Sequence, residues 1–392
     1  MRGASISGHV GLRDVEISSC ALLFENCTFS DGISLDGAKI GELTLLSCEL
    51  RYLSGVHVEV RRSVTIVGSE VGELDLANAR IATELVVSDS RIGVGTGAAI
   101  CCDRIETGSV VLNGSSVLGE IRMVGATIAG PLAVRNSILT GSVGRAVTAE
   151  STSIDSAFFF TGCTVRDGEC NVAYLRVGGP LVDDMASWPD AVRLSGFEYR
   201  SLEGADTAVG QRLRWLARDR PFTPGPYSYL AKVYREAGQE KSARTVAIQR
   251  ERERRRRGEL SRSQRLLSLF MGAVVAHGYK PWRVLVPFVV VLAIGTALFS
   301  LPPAYRVMAA TKPAGPPSAA ASCVTYPCYF PPAYVFDALV PVMDLHQETN
   351  WEAAAGRPWG FFYRGVMWIL IMSGWLMTTS VIAGFSLAWR RE

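Results

Sequence analysis

Histidine is scarce in this chain, four among 392 residues. His9, His57, His277 and His346 stand far apart, which leaves little for general-base chemistry or a histidine metal site. The motifs G-x-x-x-x-G-K-[ST], H-E-x-x-H and G-x-S-x-G are absent, so phosphate cradles, zinc-peptidase helices and nucleophile elbows have no foothold. Gly93-Val94-Gly95-Thr96-Gly97 lacks the G-x-G-x-x-G spacing and reads as a loop, so no nucleotide cofactor is assigned. Nine cysteines include no C-x-x-C pair, and seven of them lie at or before Cys170. Buried reduced thiols acting as small hydrophobes are expected there, with no metal site. Met1 to Arg13 shows no basic start followed by an apolar core, so the chain is expected to begin in the cytoplasm. It also begins almost within a repeat, at Ala4 and Ile6, so either a partner or an upstream segment is expected over the first coil.

What is present is a beat of five residues. Leu35, Ile40, Leu45 and Leu50 mark it, and it continues through Ile66, Val71, Leu76 and Ile81. After slips in register it resumes at Val87 and Ile92, at Met123 and Ile128, and at Val134 and Leu139, and it runs back through Phe24 and Phe29. Two residues earlier stand small side chains, Cys27, Ala38, Cys48, Ala79, Ser90, Ala126 and Ser137, alternating with Ile33, Leu43, Leu74 and Leu85. Five fits neither a 3.6-residue helix nor a two-residue strand, so each unit must be a short extended run and a corner. Four such units close a coil of about 20 to 22 residues. Residues 1–180 are therefore expected to form a β-helix of about eight coils and about 40 Å.

The pairs Cys27 with Phe29, Ala38 with Ile40, Cys48 with Leu50, Ala79 with Ile81 and Cys163 with Val165 carry a resemblance to the pentapeptide-repeat family, which places a small residue two before a central Leu or Phe. That resemblance implies a mainly β fold, a right-handed quadrilateral β-helix.

Charge is sorted along the chain. Residues 1–200 carry 16 Lys+Arg against 24 Asp+Glu, net −8, and residues 201–392 carry 24 against 13, net +11. An acidic rod admits mimicry of a nucleic acid only if its acids gather on one face. Asp183-Asp184, the one adjacent acidic pair, reads as a solvated turn. Past Gly178 and Gly179 the beat stops, and residues 181–257 are expected to form a helical cap ending in a basic juxtamembrane segment. Residues 226–249 resemble one tetratricopeptide unit, either closing the open end of the solenoid or offering a peptide groove. Arg250, Arg252, Arg254, Arg255, Arg256 and Arg257 then form a basic run, read as a membrane-surface site for anionic lipid head groups; a solvated helix face and, least, contact with nucleic acid are the other readings.

Residues 258–283 show an amphipathic stripe, Leu266, Leu267, Leu269, Phe270 and Ala273, expected to lie along the bilayer surface. Residues 284–301 and 364–389 are expected to be two transmembrane helices, with residues 302–363 as an external loop and 390–392 as a cytoplasmic tail. The arginines before the first helix and after the second place both termini in the cytoplasm of a cell-membrane protein, by the positive-inside rule. The loop holds Cys323 and Cys328, a candidate disulfide outside the cytoplasm. It also holds the apolar piece 334–345 and a loose candidate cluster, Asp337, Asp344, His346 and Glu348. Its helix–loop–helix plan resembles that of ion channels. An interfacial or packing segment, a re-entrant pore element and a metal or ligand site all remain open for it.

The repeats, residues 226–257, HGYKPWR at 277–283 and FDALVPVMDLHQETNW at 336–351 resemble a bacterial group of two-helix membrane proteins often labelled membrane-associated oxidoreductases. That label implies redox chemistry, yet no nucleotide fingerprint, flavin site or redox cysteine pair is found in the sequence. The leading expectation is a membrane-anchored scaffold whose cytoplasmic β-helix meets a protein partner. An oligomeric two-helix channel or sensor comes second, and the labelled enzyme third.

Overall fold

The computed structural model describes residues 1–256, 285–312, 319 and 327–389. The chain divides into two compact units, Met1–Arg257 and Gly258–Glu392.

The first unit is mainly β, a parallel β-solenoid of about nine turns followed by helices. Its strands stack into two parallel sheets of fifteen and twelve strands. Glu49 pairs with Glu70 in register and Glu70 with Arg91, one coil apart. The inward residues of the five-residue beat Leu35, Ile40, Leu45, Leu50, Ile66, Val71, Leu76 and Ile81 are buried and form one continuous core with Phe24, Phe29, Met123 and Ile128, while Val165 is partly buried against it. Each such Leu or Ile contributes about 1.5–3 kcal/mol by leaving water.

The small positions have a structural task. Asn26, Ser47, Gly68, Asp89, Gly114, Asn136 and Gly162 take positive φ, a left-handed corner that Asn, Asp and Gly reach most easily. The next residue in each coil is Cys27, Cys48, Ser69, Ser90, Ser115, Ser137 or Cys163, and the corner takes its N–H out of the strand. That N–H finds the side chain one coil on. Ser69 Oγ accepts the Cys48 N–H at 3.0 Å, Ser90 Oγ that of Ser69 at 3.1 Å, and Ser115 Oγ that of Ser90 at 3.2 Å. Ser137 Oγ accepts from Ser115 at 3.2 Å and Ser187 Oγ from Cys163 at 2.9 Å. The hydroxyls of Ser69, Ser90, Ser115 and Ser137 each donate in turn to the carbonyl two residues before, as Ser90 does to Ser88 at 2.7 Å. Small side chains able to hydrogen bond are therefore selected down one buried column.

Parallel pairing continues beyond 180 to the strand Glu198–Glu203. Gly178, Gly179 and Pro180 do not break the solenoid; they lie inside the strand Arg176–Asp183, at a register shift between Val177 and Pro180. A Cβ on Gly178 would stand 2.6 Å from the Asp155 carbonyl oxygen, so glycine is needed where successive coils approach closely.

Three helices follow: α1 (Val209–Leu216), α2 (Pro224–Glu236) and α3 (Glu240–Arg256). Pro224 suits the first turn of α2, where a missing N–H does no harm, and Gly238 at φ 72° follows its end. These helices share the solenoid core through Trp215, Leu216, Tyr227 and Leu230. The Trp215 ring lies 5.3 Å from that of Trp188, and the Tyr229 hydroxyl donates to the Tyr199 carbonyl at 3.1 Å.

In the second unit α4 (Leu285–Phe299) is followed by α5 (Pro302–Val307), α6 (Pro331–Leu339), α7 (Gln347–Asn350) and α8 (Gly360–Trp389). Met308–Ala310 and Trp351–Ala353 form a two-stranded antiparallel sheet. Among the described residues one helix is long and apolar enough to cross a membrane, over Gly360–Thr379 at mean hydropathy 1.2. The expected pair of spans is thus reduced to one candidate. Among the described residues the first contributes the 15 helical residues Leu285–Phe299 and ends where Leu301 leads into the helix that starts at Pro302. The second starts at Gly360, four residues before the expected 364. Within the segment expected as an external loop, the described residues are largely folded and share a core of Phe299, Tyr329, Tyr334, Trp351 and Tyr363. The surface helix expected at 258–283 and the tail 390–392 lie outside the described residues.

Candidate interaction surface

The solenoid corners build a groove. Lys39, Glu59, Arg80, Glu106 and Thr127 stand in one register column, each immediately before or at the start of an inward-turning strand segment. Successive rungs of such a column are about 4.8 Å apart. Lys39 meets Glu59 at 3.3 Å and Arg80 meets Glu106 at 3.1 Å, so the column alternates in sign. Beside it runs a floor of small residues, Ala82, Gly108 and Ala129, with Arg61 rising from the same line. A Cβ on Gly108 would collide with the Thr83 carbonyl oxygen, so the floor cannot be filled at that point. The result is a groove of about 670 Å³ with charges of both signs on its wall. A second groove of about 600 Å³ is lined by Glu49, Arg51, Glu70 and Arg91 over Gly72 and Gly93.

The acidic excess does not gather on one face. Cross-coil ion pairs join Arg2 to Glu25, Arg13 to Asp36, Arg62 to Glu42, Arg91 to Glu70, Arg122 to Asp103 and Arg193 to Glu169, in several separate columns. Mimicry of a nucleic acid loses its premise. Exposed pairs of this kind contribute about 0–1 kcal/mol each and shape the surface more than they hold the fold. Asp103 differs: its side chain is 11% exposed. Burial pushes its carboxyl up, but the Arg122 hydrogen bond and charge and the Val124 N–H outweigh that and hold it below the usual carboxylate range.

Asp183 is buried, not part of a solvated turn. Its Oδ2 accepts from Trp188 Nε1 at 2.6 Å and from Arg212 Nη1 at 2.9 Å, and its Oδ1 accepts from Arg212 Nη2 at 2.5 Å. Asp184 Oδ1 accepts the Ser187 N–H and its Oδ2 that of Gly162. The pair is structural, joining the last coils to α1.

In the basic run Arg250 is half-buried and spoken for: Nη1 donates to Ser228 Oγ at 2.9 Å and Nη2 to Glu251 at 2.8 Å. Arg252, Arg254 and Arg256 are exposed on α3. Arg252 and Arg256, one turn apart, share a face. Arg255 belongs to the same helix, and Arg257 lies outside the described residues.

The loop cluster is divided rather than convergent. Asp337 is buried and accepts three backbone N–H groups, from Leu345 at 2.8 Å and from Gln347 and Glu348 at 3.0 Å. It fixes the return of the chain into α7. Asp344 Oδ1 takes the His346 N–H at 2.7 Å, with the imidazole at 3.5 Å and both side chains exposed. Among the described residues no group of three or more His, Cys, Asp or Glu could hold a metal ion. His9 stacks on Tyr52, and His57 sits at a left-handed corner.

Cys27, Cys48, Cys102, Cys163 and Cys170 are buried free thiols. Burial pushes Cys163 up to about 11, and raises Cys102 and Cys170 further. Cys102, Cys163 and Cys170 are therefore thiols rather than thiolates at neutral pH, unsuited to nucleophilic attack. Cys328 is disulfide-bonded, while Cys323 lies outside the described residues.

The sequence reading missed the groove. Its signal was available: a charged residue directly precedes the inward position in successive coils, at Lys39, Glu59, Arg80 and Glu106. No family model, curated protein or solved structure matches the chain.

Proposed function

We propose that this chain is a membrane-anchored scaffold whose solenoid presents a charged lateral groove to a cytoplasmic protein partner. The observation that supports it most is the groove along Lys39, Glu59, Arg80 and Glu106, an extended surface walled by both charges over a floor of small residues. Solenoid flanks serve as extended binding surfaces because each repeat adds one rung to them. In this reading the solenoid is a right-handed, four-sided β-helix of the pentapeptide-repeat kind. The helices Leu285–Phe299 and Gly360–Trp389 make a two-pass anchor in the cell membrane with both termini cytoplasmic, and Arg252, Arg254 and Arg256 meet anionic lipid head groups. The exposed apolar side chains Val289, Ile294, Ile369 and Met372 accord with a lipid-facing surface.

Arg61 offers the cleanest test, because it lines the groove and is exposed. Full-length protein is captured from detergent-solubilised membranes after chemical cross-linking, as wild type and as Arg61→Glu. The proposal expects one or more partners held by the wild type and lost from the variant. An identical set of partners from both would refute the groove as the binding surface.

A further inference from the structure

One register column of the solenoid breaks its own pattern. Immediately after the inward residue in successive coils stand Gly41, Arg61, Ala82, Gly108, Ala129 and Asp155. The glycines and alanines make the groove floor, with a methyl group or nothing on each. Arg61 and Asp155 are the exceptions, and they bracket Ala82, Gly108 and Ala129. Both are exposed, and among the described residues neither side chain has an ion-pair or hydrogen-bond partner. The wall charges beside them differ, because Lys39 is taken by Glu59 and Arg80 by Glu106. The column therefore presents one uncompensated cation and one uncompensated anion, about 19 Å apart along the coil axis at about 4.8 Å per rung.

A molecule lying along this column must bring the opposite charges at the same separation. A carboxylate belongs over Arg61, whose planar fork can hold it through two hydrogen bonds, and a cation belongs over Asp155. Between them the surface is methyl groups and bare backbone. That backbone is already hydrogen bonded from coil to coil, as Arg61 N–H is to the Ile40 carbonyl at 3.0 Å and Asp155 N–H to the Ile128 carbonyl at 2.9 Å. An extended chain laid on it would leave its own N–H and C=O groups without partners over the floor. A helix carries those bonds within itself. At about 1.5 Å per residue, about 13 residues of helix cover about 19 Å. An acid in the first turn and a base in the last also accord with the helix dipole. The face toward the floor then needs small or apolar residues at helical spacing, the mode of a helix laid in a groove.

Resting on the scaffold reading, we infer that the protein partner engages the solenoid through a helix of about 13 residues, with an acid on Arg61 and, about twelve to fourteen residues later, a lysine or arginine on Asp155. Full-length Arg61→Lys in native membranes is treated with a zero-length carbodiimide, which forms an amide between an amine and a carboxylate in direct contact and takes up their water as a urea. The wild type reports coupling through the native lysines, and Arg166→Lys, at an exposed arginine outside the groove, reports chance encounters. Arg61→Lys should give severalfold more conjugate than either. The coupled residue should be an Asp or Glu of another protein, followed about twelve to fourteen residues on by Lys or Arg. Asp155→Lys should release that protein as fully as Arg61→Glu does, and changing the partner's basic residue to Glu should restore its capture by Asp155→Lys. Coupling no greater than in the controls, or confined to Glu59 or Glu106 of this chain, would overturn the helix and its two ion pairs. So would a coupled acid with no base at that spacing, or capture untouched by Asp155→Lys. If Arg61→Glu still releases the partner, those results leave the scaffold reading standing; capture unaffected by Arg61→Glu refutes that reading itself.

Discussion

Arg212→Met should detach the helical cap from the solenoid while leaving the inner coils intact. Arg212 and Asp183 are both fully buried, and the guanidinium donates twice to the carboxylate and once, from Nε at 2.8 Å, to the Asp206 carbonyl. Its carbon also lies 5.5 Å from the Trp215 ring centre. Methionine retains much of the volume but leaves Asp183 charged, dry and held only by Trp188 Nε1. Breaking a buried pair from one side costs about 3–5 kcal/mol. Amides in Glu198–Glu203 that exchange by opening of the cap should therefore exchange roughly 10² to 10⁴ times faster in the full-length variant. Hydrogen exchange read by mass spectrometry measures it, with Val64–Val67, deep in the solenoid, as the internal reference. Adding Asp183→Asn should restore much of the protection, because the cost lies in the orphaned charge and not in the missing arginine. Equal exchange in Arg212→Met and the wild type would refute the assignment of this pair as the anchor. A double variant worse than the single would refute the orphaned charge as its cause.

The serine column gives a graded prediction. Ser90→Ala leaves the buried Ser69 N–H without its acceptor and should lower stability by about 1–3 kcal/mol, whereas Ser90→Cys, the residue that occupies this column at Cys48 and Cys163, should cost less; thermal melting of both variants checks the order. Asp103 predicts an acid limb. Because its folded carboxyl is held below the ordinary value of about 3.9, its stabilisation is complete above that value and is lost as pH falls through the depressed folded one. Asp103→Asn should melt below the wild type at pH 7 and converge with it under strong acid. A difference that stays constant across that range would refute the ion-pair account.

The solenoid was legible because its core is local in sequence. Inward positions recur every five residues, and each of Leu35, Ile40, Leu45 and Leu50 can be located without knowing its neighbours in space. Its true end was misread because Gly178-Gly179-Pro180 looks like punctuation. Gly41, Gly108, Gly130 and Gly178 each face a carbonyl oxygen of the preceding coil, so the last of them continues a series. The Asp183–Arg212 pair could not have been found this way, since its members stand 29 residues apart and neither belongs to a repeating pattern. The loop cluster failed for a related reason. Four ionisable residues close in sequence suggested a shared site, but Asp337 turns inward to meet backbone donors while Asp344 and His346 face outward. Composition identifies such groups, and the direction of each side chain depends on a hairpin that the composition does not announce.

The cap also bears on where a partner can bind. A solenoid that simply stopped would leave the backbone of its last coil as an open strand edge, a template for further pairing. Here side chains from the cap take the place of another coil. Asp219 Oδ1 accepts the Leu194 N–H at 3.1 Å, Asp206 Oδ2 accepts the Met185 N–H at 2.7 Å, and Arg218 Nη1 donates to the Trp188 carbonyl at 2.7 Å. These groups satisfy the edge without extending the sheet, and Trp215 and Leu216 cover the core beneath it. A partner adding as a strand would have to displace a buried ion pair and three side-chain caps at that end. The flanks ask for no such disruption, because their backbone is already paired from coil to coil and only side chains are presented. In the scaffold reading, that difference in cost favours the lateral groove over the capped end as the place for a partner.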